Sequence, residues 1–352
     1  MPLPIETLII NLRQTVEALC SDECAGRAAG TAGGRAARSV VSSALTAAGC
    51  PPSEQPVPGC GGMNLLSQVA GTGERFVLVG AHYDHLGRHG PDTFHGADDN
   101  AAAVAILVEL GRALAARPPE GRSVVLAAFD GEEPPHFHTA AMGSVHFVAH
   151  PTVPLDQLDL MVCMDLVGHA LGPDGAPPQV RQSLFALGAE RSEGTSALVD
   201  RLSGLEPGVV VRRADAEVIA PLSDHWAFWQ RQVPFLFLTC GRWQHYHQPT
   251  DTPEKLDWEK MAATVRWLER LVRETCARPV GAVRFTEVHD DASTLGTLRA
   301  VLEPLLSLNP AAELGLEAIA ALEARLDSKG RLSPAEHTQT QSLVESIEAA
   351  LA

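Results

Sequence analysis

Apolar positions recur at helical spacing over residues 3–20 and 33–49, and Gly49 ahead of Pro51-Pro52 stops the second run. A Pro/Gly-rich linker is expected over 51–62. Two strands follow, NLLSQVAG at 64–71 and RFVLVGAH at 75–82. Residues 98–117 predict a long helix, and RSVVLAAFD at 122–130 a strand buried on both faces, because its apolar run is continuous. The same reading gives a helix at 139–150 and a second buried strand, LDLMVCMDLVG, at 158–168. Strands near 182–187, 208–212 and 233–240 then alternate with helices near 193–203, 223–232 and 258–276. Regular alternation of strand and helix predicts an α/β fold: three layers, α/β/α, with a mostly parallel central sheet. In such sheets ligands bind beyond the carboxyl ends of the strands. From about residue 285 the pattern becomes helical throughout. We therefore expect one large domain over residues 1–280 and a helical C-terminal extension over 281–352, the latter serving packing or homo-oligomerisation rather than catalysis.

Length agrees with that division, since single cores stop growing at roughly 250–300 residues and this chain has 352. With 45% hydrophobic and 20% charged residues, the composition excludes disorder and fibrous architectures. The 27 Lys+Arg against 43 Asp+Glu leave a net charge of −16, which argues against nucleic acid and anionic membranes as partners. No apolar run approaches the roughly 18–20 residues of a membrane span, and MPLPIETLIINLRQ lacks the features of a secretory signal. A cytoplasmic location is the expectation. Seven cysteines without a CxxC pair suggest ordinary thiols, neither a disulfide framework nor a thiolate metal site.

Chemistry concentrates where the predicted strands end. His82-Tyr83-Asp84-His85 follows VLVGA, Asp98-Asp99-Asn100 opens the long helix, and Asp130-Gly131-Glu132-Glu133 follows VVLAAF. Asp165 closes MVCMD, and His245-Tyr246-His247 lies in the loop after VPFLFLTC, ahead of Pro-Thr-Asp251-Thr. Taken singly, each has a plain reading: Asp98 as a helix cap, His82 as a hydrogen-bonded structural histidine, Glu132-Glu133 as a solvated turn. Five such residues at successive strand ends of one sheet weaken those readings jointly. Imidazoles and carboxylates without thiolates suit zinc. Five ligands exceed the three that a catalytic zinc uses, and two metals sharing one carboxylate would account for all of them.

HYDHLG, GADDNAAAVAILVELGRAL, AFDGEE, MDLVG and YHQPTDT together resemble the signatures of the di-zinc aminopeptidases of metallopeptidase clan MH, which also includes glutamate carboxypeptidases and glutaminyl cyclases. SDECAGRAAGTAGGRAA resembles that family's N-terminal Gly-Arg…Gly-Thr motif, so the likeness runs over about residues 15–275. The resemblance implies a zinc exopeptidase fold and two zinc ions per chain. His82 and Asp165 would bind one, Glu133 and His247 the other, with Asp98 bridging. Asp84 would accept a hydrogen bond from the His82 ring, Glu132 would be the general base, and Tyr246 would donate to the developing oxyanion. It also implies a cis Asp98–Asp99 peptide, and a peptide or aminoacyl amide with a free N-terminus as substrate.

The chain departs from the GEExGLxGS pattern common in that family. Glu133 is followed by PPHFHTAAM before Gly143-Ser144, a longer loop in which His136 or His138 could reach a substrate. Glutaminyl cyclases also carry a longer segment here, which makes a single-zinc cyclotransferase the alternative. Tyr246 where cyclases tend to have Trp, and the GADDN sequence, favour the two-metal hydrolase. A catalytically inactive binding or scaffold relative is a third reading, opposed by the presence of all five expected ligands.

Overall fold

The computed structural model describes residues 3–279, 281 and 283–351. The expected domain boundary at 280 and the first two residues of the N-terminal reading lie outside the described residues. Helices α1 (Ile5–Leu19) and α2 (Ala32–Ala47) lead into strands β1 (Ser53–Val57), β2 (Gly62–Val69) and β3 (Phe76–His82), then a small hairpin, β4 (Gly87–His89) and β5 (Asp92–Phe94). Next come α3 (Ala102–Ala116), β6 (Ser123–Phe129), α4 (Gly143–Ala149), β7 (Leu158–Met164), α5 (Pro178–Arg181) and β8 (Ser183–Leu187). The domain closes with α6 (Thr195–Leu202), β9 (Val210–Ala214), α7 (His225–Trp229), β10 (Phe235–Thr239) and α8 (Trp258–Cys276). The extension contains α9 (Asp291–Leu302), α10 (Ala312–Glu323) and α11 (Pro334–Leu351).

Eight strands form one sheet in the order β1-β2-β6-β3-β7-β10-β8-β9, and its centre, β6-β3-β7-β10, is parallel. The expected α/β fold is present. Both faces of the centre are covered, which explains the continuous apolar runs. Val77 and Val79 of β3 face Leu12, Val41, Ile106 and Trp267 from α1, α2, α3 and α8. Leu78 between them faces the opposite side, with Phe147 of α4 and Phe228 of α7. No described helix is long and apolar enough to cross a membrane, and all seven cysteines are unpaired.

Three boundaries differ from the sequence reading. The expected linker contains β1, an edge strand whose Pro56 pairs with Met63 of antiparallel β2; a sheet edge tolerates the missing N–H of proline. The helix expected over 139–150 begins only at Gly143. The helix expected from 98 begins at Ala102, because Asp99 (φ −110°, ψ 88°) and Asn100 (φ −134°, ψ 34°) leave helical geometry in a wide turn over residues 97–101.

The extension packs against edge strand β9. Thr297 Oγ1 donates to Arg213 O at 2.6 Å, Asp215 N donates to Thr294 Oγ1 at 2.8 Å, and Gln341 Nε2 reaches Glu217 O at 2.7 Å. Such cover blunts an otherwise open edge. At the opposite end of the sheet from the candidate centre, buried Asp159 accepts from Arg75 Nε at 2.9 Å and from the buried Arg122 guanidinium. Arg122 also donates to Thr275 O (3.3 Å), Cys276 O (3.2 Å) and Pro279 O (3.0 Å), fastening the end of α8 to the strand starts.

Removing one partner of a buried ion pair strands the other, so Asp159→Ala should destabilise the fold by about 3–5 kcal/mol, read from the urea midpoint. A second expectation concerns His225, fully buried with its ring stacked 4.3 Å from Phe237. Burial, reinforced by His138, pulls its pKa down to about 3. A depressed folded pKa gives stability that is complete above the unfolded value of about 6.5 and is lost as pH falls toward 3. Urea midpoints should therefore fall across that window, and His225→Leu should flatten the slope.

Candidate metal centre

Four central strands deliver side chains to one end of the sheet. His82 is the last residue of β3, Glu132 and Glu133 follow β6, Asp165 follows β7, and Tyr246 and His247 lie in the loop after β10. His82 Nε2 stands 3.5 Å from Asp165 Oδ1, 3.4 Å from Asp99 Oδ1 and 3.8 Å from Glu132 Oε2. His247 Nε2 stands 3.2 Å from Glu133 Oε2 and 3.2 Å from Asp99 Oδ2. Asp99 thus offers one oxygen to each side. Ligand atoms of His82, Asp99 and Asp165 lie within 4.8 Å of one another, as do those of His85, Asp99 and Glu133.

The carboxylate between the two groups is Asp99, where the sequence reading placed Asp98. The Asp98 carboxylate turns to the loop after β7, accepting from Gly168 N at 2.6 Å and His169 N at 3.1 Å and meeting His169 Nδ1 at 2.6 Å. The departure from helical geometry at 99–100 swings the next side chain the other way. The cis peptide is correspondingly Asp99–Asn100, not Asp98–Asp99. Asp84 also differs from expectation. Its Oδ1 is 3.7 Å from His82 Nδ1, too far for a hydrogen bond, and the ring instead meets the Asp84 carbonyl at 3.3 Å. The Asp84 carboxylate accepts from Glu132 N (3.1 Å) and Glu133 N (3.2 Å), setting the turn that carries both acids.

Several residues to which the sequence reading assigned no role in the site complete the framework. His85 Nδ1 lies 2.7 Å from Glu133 Oε1; its spacing three residues after His82 was the available signal. Asp251 accepts from Asp98 N (2.9 Å) and Asp99 N (3.1 Å), tying the loop after β10 to the turn that carries Asp99. Arg27 of the Gly-Arg motif is fully buried and donates to Tyr83 O (2.8 Å), Gly96 O (2.5 Å) and Asp99 O (3.0 Å). Asp224 is buried, and burial pushes its carboxyl up to about 7. A charged residue in Ser-Asp-His ahead of an apolar strand was its only trace. Leu166 (φ +54°) and His247 (φ +55°) hold left-handed backbone, which branched or bulky residues adopt at a cost seen mostly at functional sites.

The electrostatics describe a cluster short of positive charge. Burial pushes Glu132 and Asp165 upward, with His82 pulling each back. Burial opposes charge on His82, yet Glu132 and Asp165 raise its pKa well above the usual range. Burial also raises Glu133, but hydrogen bonds from His247 and His85 outweigh it and hold it low. Burial lowers His247, and bonds to Asp99 and Glu133 lift it to about 10. Among the described residues, His82 Nε2, His85 Nε2 and Asp165 Oδ1 are buried without a hydrogen-bond partner. Orphaned imidazole and carboxylate atoms facing one another suit a borderline divalent cation such as zinc.

Above them opens a cleft of about 280 Å³. Its apolar wall includes Phe137, Ile219 and Leu222, and Tyr246 flanks it, stacked 3.9 Å from the His247 ring. Of the long loop after Glu133, Pro134 and Phe137 line the cleft; His138 is sandwiched between Phe137 and Trp226 and is not free for substrate. The extension also contributes, although the sequence reading gave it no chemistry. Glu345 and Glu348 of α11 line the cleft, and Glu348 grips Arg242 through Arg242 N (2.8 Å) and Nε (3.0 Å).

Fold and site together define a metallopeptidase-like enzyme. The chain matches the description "Peptidase family M28" over residues 64–272 and belongs to that family. It is 28% identical over 251 residues to "Uncharacterized protein YfbL" of Escherichia coli (strain K12), covering 64% of this chain and 75% of that one. Among solved structures, a Zn-dependent exopeptidase from Parabacteroides distasonis superposes with TM-score 0.58 at 17% identity, covering 78% of this chain and 99% of that one. The glutaminyl cyclase of Porphyromonas gingivalis does so with TM-score 0.60 at 19% identity, covering 78% and 99%.

The placement of the two adjacent aspartates makes a sharp expectation. Asp99→Asn should weaken zinc binding by more than the roughly 10–100-fold that loss of a supporting group costs, whereas Asp98→Asn should stay within that range. Zinc retained after dialysis against graded chelator separates the two, and the reverse order would contradict the assignment.

Proposed function

We propose that the chain is a zinc-dependent exopeptidase that removes N-terminal residues from peptides or aminoacyl amides. The observation that carries this reading is Asp99, set with one oxygen toward the His82–Asp165 group and the other toward the His247–Glu133 group. A shared carboxylate between two such groups fits two ions: His82, Asp99 and Asp165 would hold one, and Asp99, Glu133 and His247 the other. Zinc bound there supplies an activated water and polarises the scissile carbonyl. Glu132, beside the His82 group yet outside both ligand sets, takes the proton at its carboxylate and delivers it to the leaving amine. Its chain direction is set by Asp84 at the Glu132 amide. Tyr246 at the cleft wall donates to the developing oxyanion, and burial with the Asp99 and Asp165 charges keeps its hydroxyl protonated. A substrate's free ammonium suits a cleft carrying Glu345 and this ring of carboxylates.

A second reading, cyclisation of N-terminal glutamine by a single-zinc site, is favoured by the likeness to glutaminyl cyclases, among them that of Bos taurus at 28% identity over 237 residues. The two readings part on ion count and product. Glu132→Gln is expected to keep the wild-type zinc content and lose about 10²–10⁴-fold in hydrolysis of aminoacyl chromogenic amides. Retained hydrolysis removes Glu132 from its role. Release of ammonia from Gln-peptides without aminoacyl-amide hydrolysis establishes the cyclase reading instead.

A further inference from the structure

The extension meets the catalytic domain at a second group of imidazoles and carboxylates, none of which lines the cleft. Asp215, in the turn after β9, is fully buried. Its Oδ1 accepts from Glu217 N at 2.8 Å, and its Oδ2 accepts from Asp290 N at 2.6 Å and lies 3.2 Å from His289 Nδ1. His337 comes from the start of α11, and its ring is 4.9 Å from that of His289. One ligand atom from each of Asp215, His289 and His337 lies within 4.8 Å of the others.

The state of His337 is set by Asp291. Asp291 Oδ1 is 2.7 Å from His337 Nδ1, and its other oxygen accepts from Leu332 N at 2.9 Å. Facing a carboxylate, Nδ1 carries the hydrogen. Nε2 of a neutral ring is then a free lone pair. That atom is buried and has no hydrogen-bond partner among the described residues. Asp291 raises the pKa of this ring, yet a proton on Nε2 would be a buried donor without an acceptor, so a cation suits that place better than the proton does. A carboxylate behind one ring nitrogen, with the other nitrogen bare beside an acid and a second imidazole, is the arrangement of a metal-ligating histidine. The 3.2 Å between His289 Nδ1 and Asp215 Oδ2 is close to the roughly 3.3 Å edge of a tetrahedron with zinc-length bonds. The His289 side chain is 40% exposed, which leaves a path for an ion and room for a water as fourth ligand.

We propose that Asp215, His289 and His337 bind one divalent cation of the zinc class, oriented by Asp291, and that this ion fastens the helical extension to the edge of the catalytic sheet. Two imidazoles and a carboxylate match that cation. The ligands come from three places: the turn after β9, the segment before α9, and α11. Because α11 also carries the glutamate that holds Arg242 at the cleft, the ion steadies one wall of the substrate site. The binding site stands independently of the proposed exopeptidase activity; only this last consequence rests on it.

The test uses the full chain, stripped with chelator and reloaded with Zn²⁺ alone, with ions per chain counted by elemental mass spectrometry after gel filtration. His289→Ala removes a partly exposed ring, so helix content by circular dichroism should match wild type while the count falls by one ion per chain. Asp291→Asn keeps all three ligands and should weaken this ion's binding about 10–100-fold. Zinc should slow proteolysis within 283–351 in wild type and in His247→Ala, but not in His289→Ala. An equal ion count in wild type and His289→Ala overturns the proposal, as does zinc protection that survives in His289→Ala. Failure of the active-site reading would lower both counts alike and leave their difference of one intact.

Discussion

Asp99, Glu132, Glu133 and Asp165 are each less than a tenth exposed and converge on one end of a sheet with imidazoles as their nearest company. Gathering that much negative charge out of water is costly unless cations neutralise it, and the architecture around it answers that constraint. The charged groups behind the cluster address the backbone rather than the acids themselves. Asp84 holds the amides of Glu132 and Glu133, Asp251 the amides of Asp98 and Asp99, and Arg27 the carbonyls around the Gly96–Asp99 turn. Among the described residues His82 Nε2 and Asp165 Oδ1 stay bare, while the chain that carries them is fixed. This is the preorganisation that a metal site requires.

Strand ends were legible from the sequence because apolar runs of the right length stop at chemically loaded residues, so His82, Glu132, Glu133, Asp165 and His247 could be placed on one edge without coordinates. What was not legible has a common cause. Asp98 and Asp99 are adjacent and chemically identical, and which one faces the cleft depends on a turn of non-helical residues inside an apparently helical pattern. Asp84 was given the nearest imidazole as its partner, whereas long-range packing brings it the amides after β6 instead. Asp251 and Arg27 act across gaps of 152 and 72 residues, which no local pattern reports. Strand β1 was hidden because Pro and Gly suppress a strand reading and an edge position forgives them. His138 in the long loop is spent on packing with Trp226, and Phe137 takes the place at the cleft expected of a histidine.

The segment matching the M28 description is smaller than the unit that builds the site. Arg27 lies before residue 64, and Glu345 and Glu348 lie after residue 272. The fold is shared with relatives of low identity, while one cleft wall comes from the extension. Specificity in this chain therefore cannot be transferred from those relatives; it has to be read from α11 and from the loop that holds Phe137.

The bond between Asp251 and the turn at Asp99 has a mechanical reach beyond geometry. Asp251 belongs to the same loop as His247, and the turn it grips presents a carboxylate to both ligand groups. An ion that captures Asp99 through His82 and Asp165 immobilises the turn, and through Asp251 it immobilises the loop bearing His247. On the two-ion reading proposed above, a second ion would meet a site whose ordering cost has already been met. Two ions in ligand groups joined in this way would load cooperatively, filling together over a narrow range of free metal and emptying together. The chain would then pass between vacant and fully charged forms with little of the half-loaded form between them.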